Sequence, residues 1–162
     1  MQGSLEEDLA ALRKLRDDDA SGGIRMDMGD DNDPRNWNNN NVNVIEGRVR
    51  SFDLANIPSL TNLSDAIGKL SELNELYLYN CTSLLALPDA IGELGALTEL
   101  SLYGCSSLAE LPAAIGELKA LKTLDLTKCS SLVALPAAIG KLDALTELDL
   151  GLNTMTSNGP SN

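Results

Sequence analysis

The chain has 162 residues, 43% of them hydrophobic, which is enough for one domain with a continuous core. Twenty-four acidic against 12 basic residues give a formal charge of −12. That balance argues against nucleic acid and anionic membrane surfaces as partners, since both are bound through clustered lysine and arginine. The complete lack of histidine removes the commonest general base and the triads built on it.

Along the chain, Ser4-Leu5-Glu6-Glu7 is a capping box, and Leu5, Leu9, Leu12 and Leu15 follow at helical spacing. They predict an amphipathic helix over residues 5 to about 18, ended by Asp17 to Asp19 and Ser21-Gly22-Gly23. The polar, low-complexity stretch from Met26 to Asn41 predicts a loop. Its Asp27, Asp30, Asp31 and Asp33 miss the calcium-loop spacing, and no bidentate glutamate follows at the required distance, so a solvated acidic loop is expected. Trp37 then precedes VNVIEGRVRSFDL, where Glu46-Gly47 turns a hairpin into a strand at Val49 to Leu54.

From there the chain repeats itself. Pro88, Pro112 and Pro136 stand 24 residues apart, and Cys81, Cys105 and Cys129 keep the same step, as do Gly68, Gly92, Gly116 and Gly140. The first unit is degenerate, reading Leu63-Ser64 where Leu-Pro recurs later. A fixed period of this kind builds a stack in which each unit buries its apolar face against the next. Within a unit, Leu97, Leu100 and Leu102 point inward from a short half-buried strand. Leu111, Ile115 and Leu118 suit one or two turns of helix, with Pro112 at its start. Helical repeat families run at roughly 33 to 47 residues, whereas strand-plus-short-helix repeats run at about 20 to 29. The expected fold class is therefore an α/β solenoid.

The pattern LxxLxLxxCxSLxxLPxAIGxL, over roughly residues 48 to 153, resembles the plant-type leucine-rich repeat. It is most similar to the repeats of intracellular plant immune receptors and of short relatives from plants, algae and other protists. The resemblance implies a right-handed horseshoe segment whose parallel strands line a concave face that binds other proteins. The helix, Trp37 and the Gly47-Arg48-Val49 segment resemble the cap of plant leucine-rich repeat proteins, without the cysteine pair that secreted versions carry. The organisation expected is a cap over residues 1–47, repeats over 48–153 and a polar tail over 154–162.

The recurring cysteines read as small buried groups, since ligand clusters for zinc or redox work are missing. The recurring glycines read as backbone turn positions. No cofactor and no metal are expected. With no membrane-length apolar run and no secretory core near the start, the chain reads as cytosolic and non-enzymatic.

The outward strand positions are Ser51, Asp53, Ala55; Glu75, Tyr77, Tyr79; Glu99, Ser101, Tyr103; Thr123, Asp125, Thr127; and Glu147, Asp149, Gly151. They predict three columns on one surface, with Glu75 beside Glu99 and Asp125 beside Asp149 at a spacing of about 4.8 Å. Like charges in register are mildly destabilising, and nothing in the core requires them. One reading is a docking surface for a protein segment of basic or mixed charge, anchored by Tyr77, Tyr79 and Tyr103 and tempered by Lys128 at its edge. The other is a face kept soluble by charge. At the far end Asn153 replaces the recurring cysteine, and the last repeat leaves an apolar end and an unpaired strand edge. A fragment of a longer array, a cover formed by Met155 and the tail, and self-association are all compatible with that end.

Overall fold

The computed structural model describes residues 4–28, 33–37, 41–151 and 153. Six strands form a single sheet in sequence order. Strand β1 (Val42–Ile45) is antiparallel to β2 (Arg48–Asp53). The sheet then continues in parallel through β3 (Glu75–Tyr77), β4 (Glu99–Ser101), β5 (Thr123–Asp125) and β6 (Glu147–Asp149). The β1–β2 turn has Glu46 at φ 51° and Gly47 at φ 70°, the double positive φ of a two-residue hairpin. Each parallel crossover carries one short helix, at Asp65–Lys69, Asp89–Glu93, Ala113–Glu117 and Ala137–Lys141. This is the α/β solenoid that the 24-residue period predicts.

Two details of the unit differ from expectation. The short helices are single 3-10 turns: the Leu118 N–H donates to the Ile115 carbonyl at 3.2 Å, a three-residue step. Pro112 stands at the N-cap in extended conformation (φ −65°, ψ 150°), one position before the helix it was expected to open. An extended proline on one side and the turn toward the next strand on the other leave five residues, too few for α-helical bonding to take hold.

The recurring glycines also have a different reason from the one expected. Gly68, Gly92 and Gly116 do not need a positive φ. A Cβ on Gly92 would lie 2.7 Å from the Ala114 carbonyl oxygen of the next unit; on Gly116 it would lie 2.7 Å from that of Ala138, and on Gly68 2.8 Å from that of Ala90. They are contact points between stacked units. The left-handed position falls instead just after β2, β3, β4 and β5, at Asn56 (φ 60°), Asn80 (φ 59°), Gly104 (φ 72°) and Lys128 (φ 59°). Asparagine and glycine suit it, while Lys128 carries a backbone cost of roughly 1 kcal/mol.

Leu97, Leu100 and Leu102 are fully buried, as are their equivalents in the neighbouring units. The three thiols are buried and form no disulfide, and each donates to a carbonyl of the preceding unit. Cys81 bonds Leu54 O at 3.2 Å, Cys105 bonds Leu78 O at 3.2 Å, and Cys129 bonds Leu102 O at 3.1 Å. Burial pushes the Cys129 thiol up to about 11 and the Cys105 thiol higher still, so both stay protonated and inert near neutral pH. Asn153 continues the column, its Nδ2 donating to Leu126 O at 2.7 Å.

At the amino-terminal end, α1 (Leu5–Asp18) forms with both bonds of its capping box. Leu9, Leu12 and Leu15 bury against the stack, and the Arg16 guanidinium lies 5.6 Å from the centroid of the Trp37 ring. Asp8, 1% exposed, fixes the docking: it accepts from Arg48 Nε at 2.8 Å, Arg48 Nη2 at 2.9 Å and the Val49 N–H at 3.0 Å. Ser64 stands where later units have proline; its hydroxyl donates to Asp18 at 2.5 Å and accepts from the Ala66 N–H at 3.2 Å. The degenerate unit is thus a seat for the cap. The loop expected over Met26 to Asn41 is corrected at two places. A second helix, α2 (Gly23–Met28), begins where Asp19 accepts from the Ile24 N–H and Ile24 is buried; a 3-10 turn at Pro34–Asn36 is capped by Asp33. Arg35 beside Asp33 holds that carboxyl down to about 2. Asp30, Asp31, Met155 and the tail 154–162 lie outside the described residues, as does the side chain of Asp27.

Candidate partner-binding face

The parallel register aligns the outward residues as columns. Ser51, Glu75, Glu99, Thr123 and Glu147 are successive partners, as are Asp53, Tyr77, Ser101, Asp125 and Asp149. The third column lies just beyond the three-residue strands, where the backbone ladder continues: Asn56 N–H donates to Tyr79 O, Asn80 N–H to Tyr103 O, and Gly104 N–H to Thr127 O. The structure therefore brings Glu75, Tyr77, Tyr79, Glu99, Ser101, Tyr103, Thr123, Asp125, Thr127, Glu147 and Asp149 onto one face. Between β4 and β6 the face dips into a shallow recess of about 130 Å³, bordered by Glu99, Ser101, Thr123, Asp125, Glu147 and Asp149.

The two acidic columns are chemically distinct. Asp53, Asp125 and Asp149 each accept from the backbone N–H two residues on, at 2.8 Å from Ala55, 2.9 Å from Thr127 and 2.9 Å from Gly151. These are Asx turns that close the strand end. The Gly151 N–H, helped by the Thr127 side chain, holds the Asp149 carboxyl below the usual range. Sequence reasoning found no structural call for these aspartates, and here the structure supplies one. Among the described residues, no backbone N–H donates to the side chains of Glu75, Glu99 or Glu147.

The aromatic residues divide in the same way. Tyr77 and Tyr79 meet edge to face, with centroids 6.4 Å apart and planes at 61°. Burial pushes the Tyr77 hydroxyl up to about 12, and the carboxylates of Glu99 and Glu75 add to the shift. A phenol that stays protonated beside the opposed Glu75–Glu99 pair softens their repulsion. Tyr103 is engaged by Lys128, whose Nζ bonds the hydroxyl and lies 4.8 Å from the ring centroid. The left-handed backbone at residue 128 thus carries a cation over the edge of the face.

A larger groove, about 1080 Å³, runs between α1 and the Asp65–Lys69 and Asp89–Glu93 turns, bordered by Glu7, Lys14, Asp65, Lys69 and Glu93. No sequence signal marked it, because it depends on where the cap helix docks. Among the described residues, no three acidic or cysteine side chains converge as metal ligands. None of the described helices is long and apolar enough to cross a membrane.

Parallel strands at a 24-residue period, an inward leucine ladder and an L-P-x-A-I-G turn define a leucine-rich repeat solenoid. The solved structures similar to the chain include several of that class. A leucine-rich repeat protein of Leptospira interrogans is 35% identical over 65% of this chain and 32% of its own, with a TM-score of 0.53. A plant ice-binding protein is 24% identical over 95% and 50%, with a TM-score of 0.69. A chain of the BIR3–SERK2 complex from Arabidopsis thaliana is 22% identical over 92% and 83%, with a TM-score of 0.64. The chain thus spans about a third of the Leptospira protein and half of the ice-binding protein. The last two likenesses concern the fold alone. No protein-family model matches the sequence, and no curated protein sequence matches it.

Proposed function

We propose that the protein is a non-enzymatic recognition module of plant-type leucine-rich repeats, and that its strand face binds a protein segment of basic or mixed charge. One observation carries this. Glu75 and Glu99 are set in register with no backbone donor to account for them, beside the Tyr77–Tyr79 pair. Opposed like charges cost a few tenths of a kcal/mol in a sheet, so a face that keeps them gains from an incoming cation. The leucine-rich repeat fold supports the reading in general, since it is a scaffold for protein interaction. One structure of similar fold is a complex of two proteins, BIR3 and SERK2. The three buried thiols, none of them in a disulfide, support a reducing, cytosolic setting.

The test is a pull-down with the wild-type chain beside the triple variant Glu75→Lys, Glu99→Lys, Glu147→Lys, whose melting curve is checked first. The variant is expected to lose the specific partners. If a folded variant retains them all, the strand face is not the binding surface.

A further inference from the structure

After β3 and after β5, the left-handed residue sends its side chain back across the preceding unit. Asn80 Nδ2 donates to Asn56 Oδ1 at 3.0 Å, while Lys128 Nζ bonds the Tyr103 hydroxyl and stands 4.8 Å from the ring centroid. One repeat earlier, the step that joins Lys128 to Tyr103 joins Gly104 to Tyr79, and glycine has no side chain to send. A larger residue is opposed there twice over: φ is 72°, and a Cβ would stand 2.5 Å from Asn80 Oδ1. All 12 lysines and arginines lie among the described residues, and none of them stands over the ring of Tyr79. That ring is half-buried and meets Tyr77 edge to face. The repeat thus fills one cation seat with its own ammonium and leaves the equivalent seat, one unit earlier, to a side chain from outside.

We propose that the seat over Tyr79 takes the ammonium of a lysine in an extended segment of the partner protein. The inference rests on the strand face as the binding surface and names what one point of that face reads. Lys128 on Tyr103 is the internal model, with a ring beneath the cation and an oxygen beside it. At Tyr79 the ring is in place, and Asn80 Oδ1, which borders the position of the missing side chain, supplies an acceptor for the ammonium. The opposed Glu75–Glu99 pair stands four residues back along the chain, about 13 Å in extended backbone. A second lysine four residues from the first therefore reaches those carboxylates while the first sits on Tyr79. Adjacent lysines in an extended segment point to opposite sides, so they reach only one of the two seats.

The test titrates the full chain at low ionic strength with the peptide acetyl-GKGSGKG-amide, and with versions in which either lysine is norleucine, following side-chain resonances by NMR. Saturable shifts of the Tyr79 ring and of the Glu75 and Glu99 side chains are expected, and either norleucine is expected to weaken them. Tyr79→Leu, its melting curve checked first, is expected to bind the peptide about two- to fivefold more weakly, whereas Tyr79→Phe keeps the ring and binds as the wild type does. The Tyr103 ring is expected to stay unmoved in the wild type and to join the response in Lys128→Met, which frees the second seat. Shifts at Glu75 and Glu99 with an unmoved Tyr79 ring, or undiminished binding to a folded Tyr79→Leu chain, overturn this inference and leave the strand-face reading standing. No shift anywhere on the strand face at millimolar peptide overturns both.

Discussion

The two ends of the stack are built on opposite plans. At the amino-terminal end the first repeat is covered by α1, tied down by a buried carboxylate–guanidinium pair and by Ser64 in place of proline. At the other end, the last repeat keeps the glycine and the leucines of an internal unit, and Leu135, Leu145, Leu148 and Leu150 are only partly buried. The lesson is that a repeat solenoid needs a specific closing device, and that such a device shows up as a departure from the repeat. Where the sequence departs, at Ser64 and in the cap, the surface is closed; where the sequence keeps the pattern, at Gly140, no described residue lies within 4 Å of where a Cβ would stand.

The largest expected effect that would break this comparison is at the closed end. Asp8→Ala leaves Arg48 buried without its carboxylate and is expected to cost about 3–5 kcal/mol, measured by denaturant unfolding. A loss under about 1 kcal/mol would mean that the cap is not what holds that end. Next, Leu124→Ala inside the stack is expected to cost about 2–5 kcal/mol, and Leu148→Ala at the open end less than half as much. Equal losses would show that the open end is covered in solution. The glycines sharpen the contrast further: Gly92→Ala is expected to destabilise by about 1–3 kcal/mol through overpacking, whereas Gly140→Ala is expected to be neutral or stabilising by up to about 1 kcal/mol.

The smallest effect concerns the face between the ends. In an alkaline absorbance titration the Tyr77 hydroxyl should ionise with a midpoint near 12, and that component should vanish in Tyr77→Phe. Because the folded value lies above the unfolded value of about 10, the linked stability is fully present below pH 10 and is lost as pH rises toward 12. No component near pH 12 that Tyr77→Phe removes would contradict the burial of Tyr77 beside the two glutamates.

What could be read from sequence was local or periodic. The capping box at Ser4, the Glu46-Gly47 turn, the inward leucines and the outward columns each follow from spacing within one unit. What could not be read depends on partners distant in sequence. Asp8 and Arg48 are 40 residues apart and carry no motif, so their buried pair emerges only when α1 docks. The glycines read as turn residues because a single unit shows only its own backbone, and their role lies in the next unit's carbonyl. The candidate face was legible as positions but not as chemistry. Register placed Glu75, Glu99, Asp125 and Asp149 correctly side by side, while the Asx turns that occupy the aspartates and the lysine that covers Tyr103 required coordinates.

The central claim is that partners meet the strand face. The most direct measurement places a photo-crosslinking amino acid at Tyr79 on that face or at Lys69 on the turn side, in otherwise wild-type chains, and maps the crosslinked partner peptides. The account predicts crosslinks from position 79 to a peptide rich in lysine or arginine and none from position 69. Partner crosslinks from position 69 alone would contradict it.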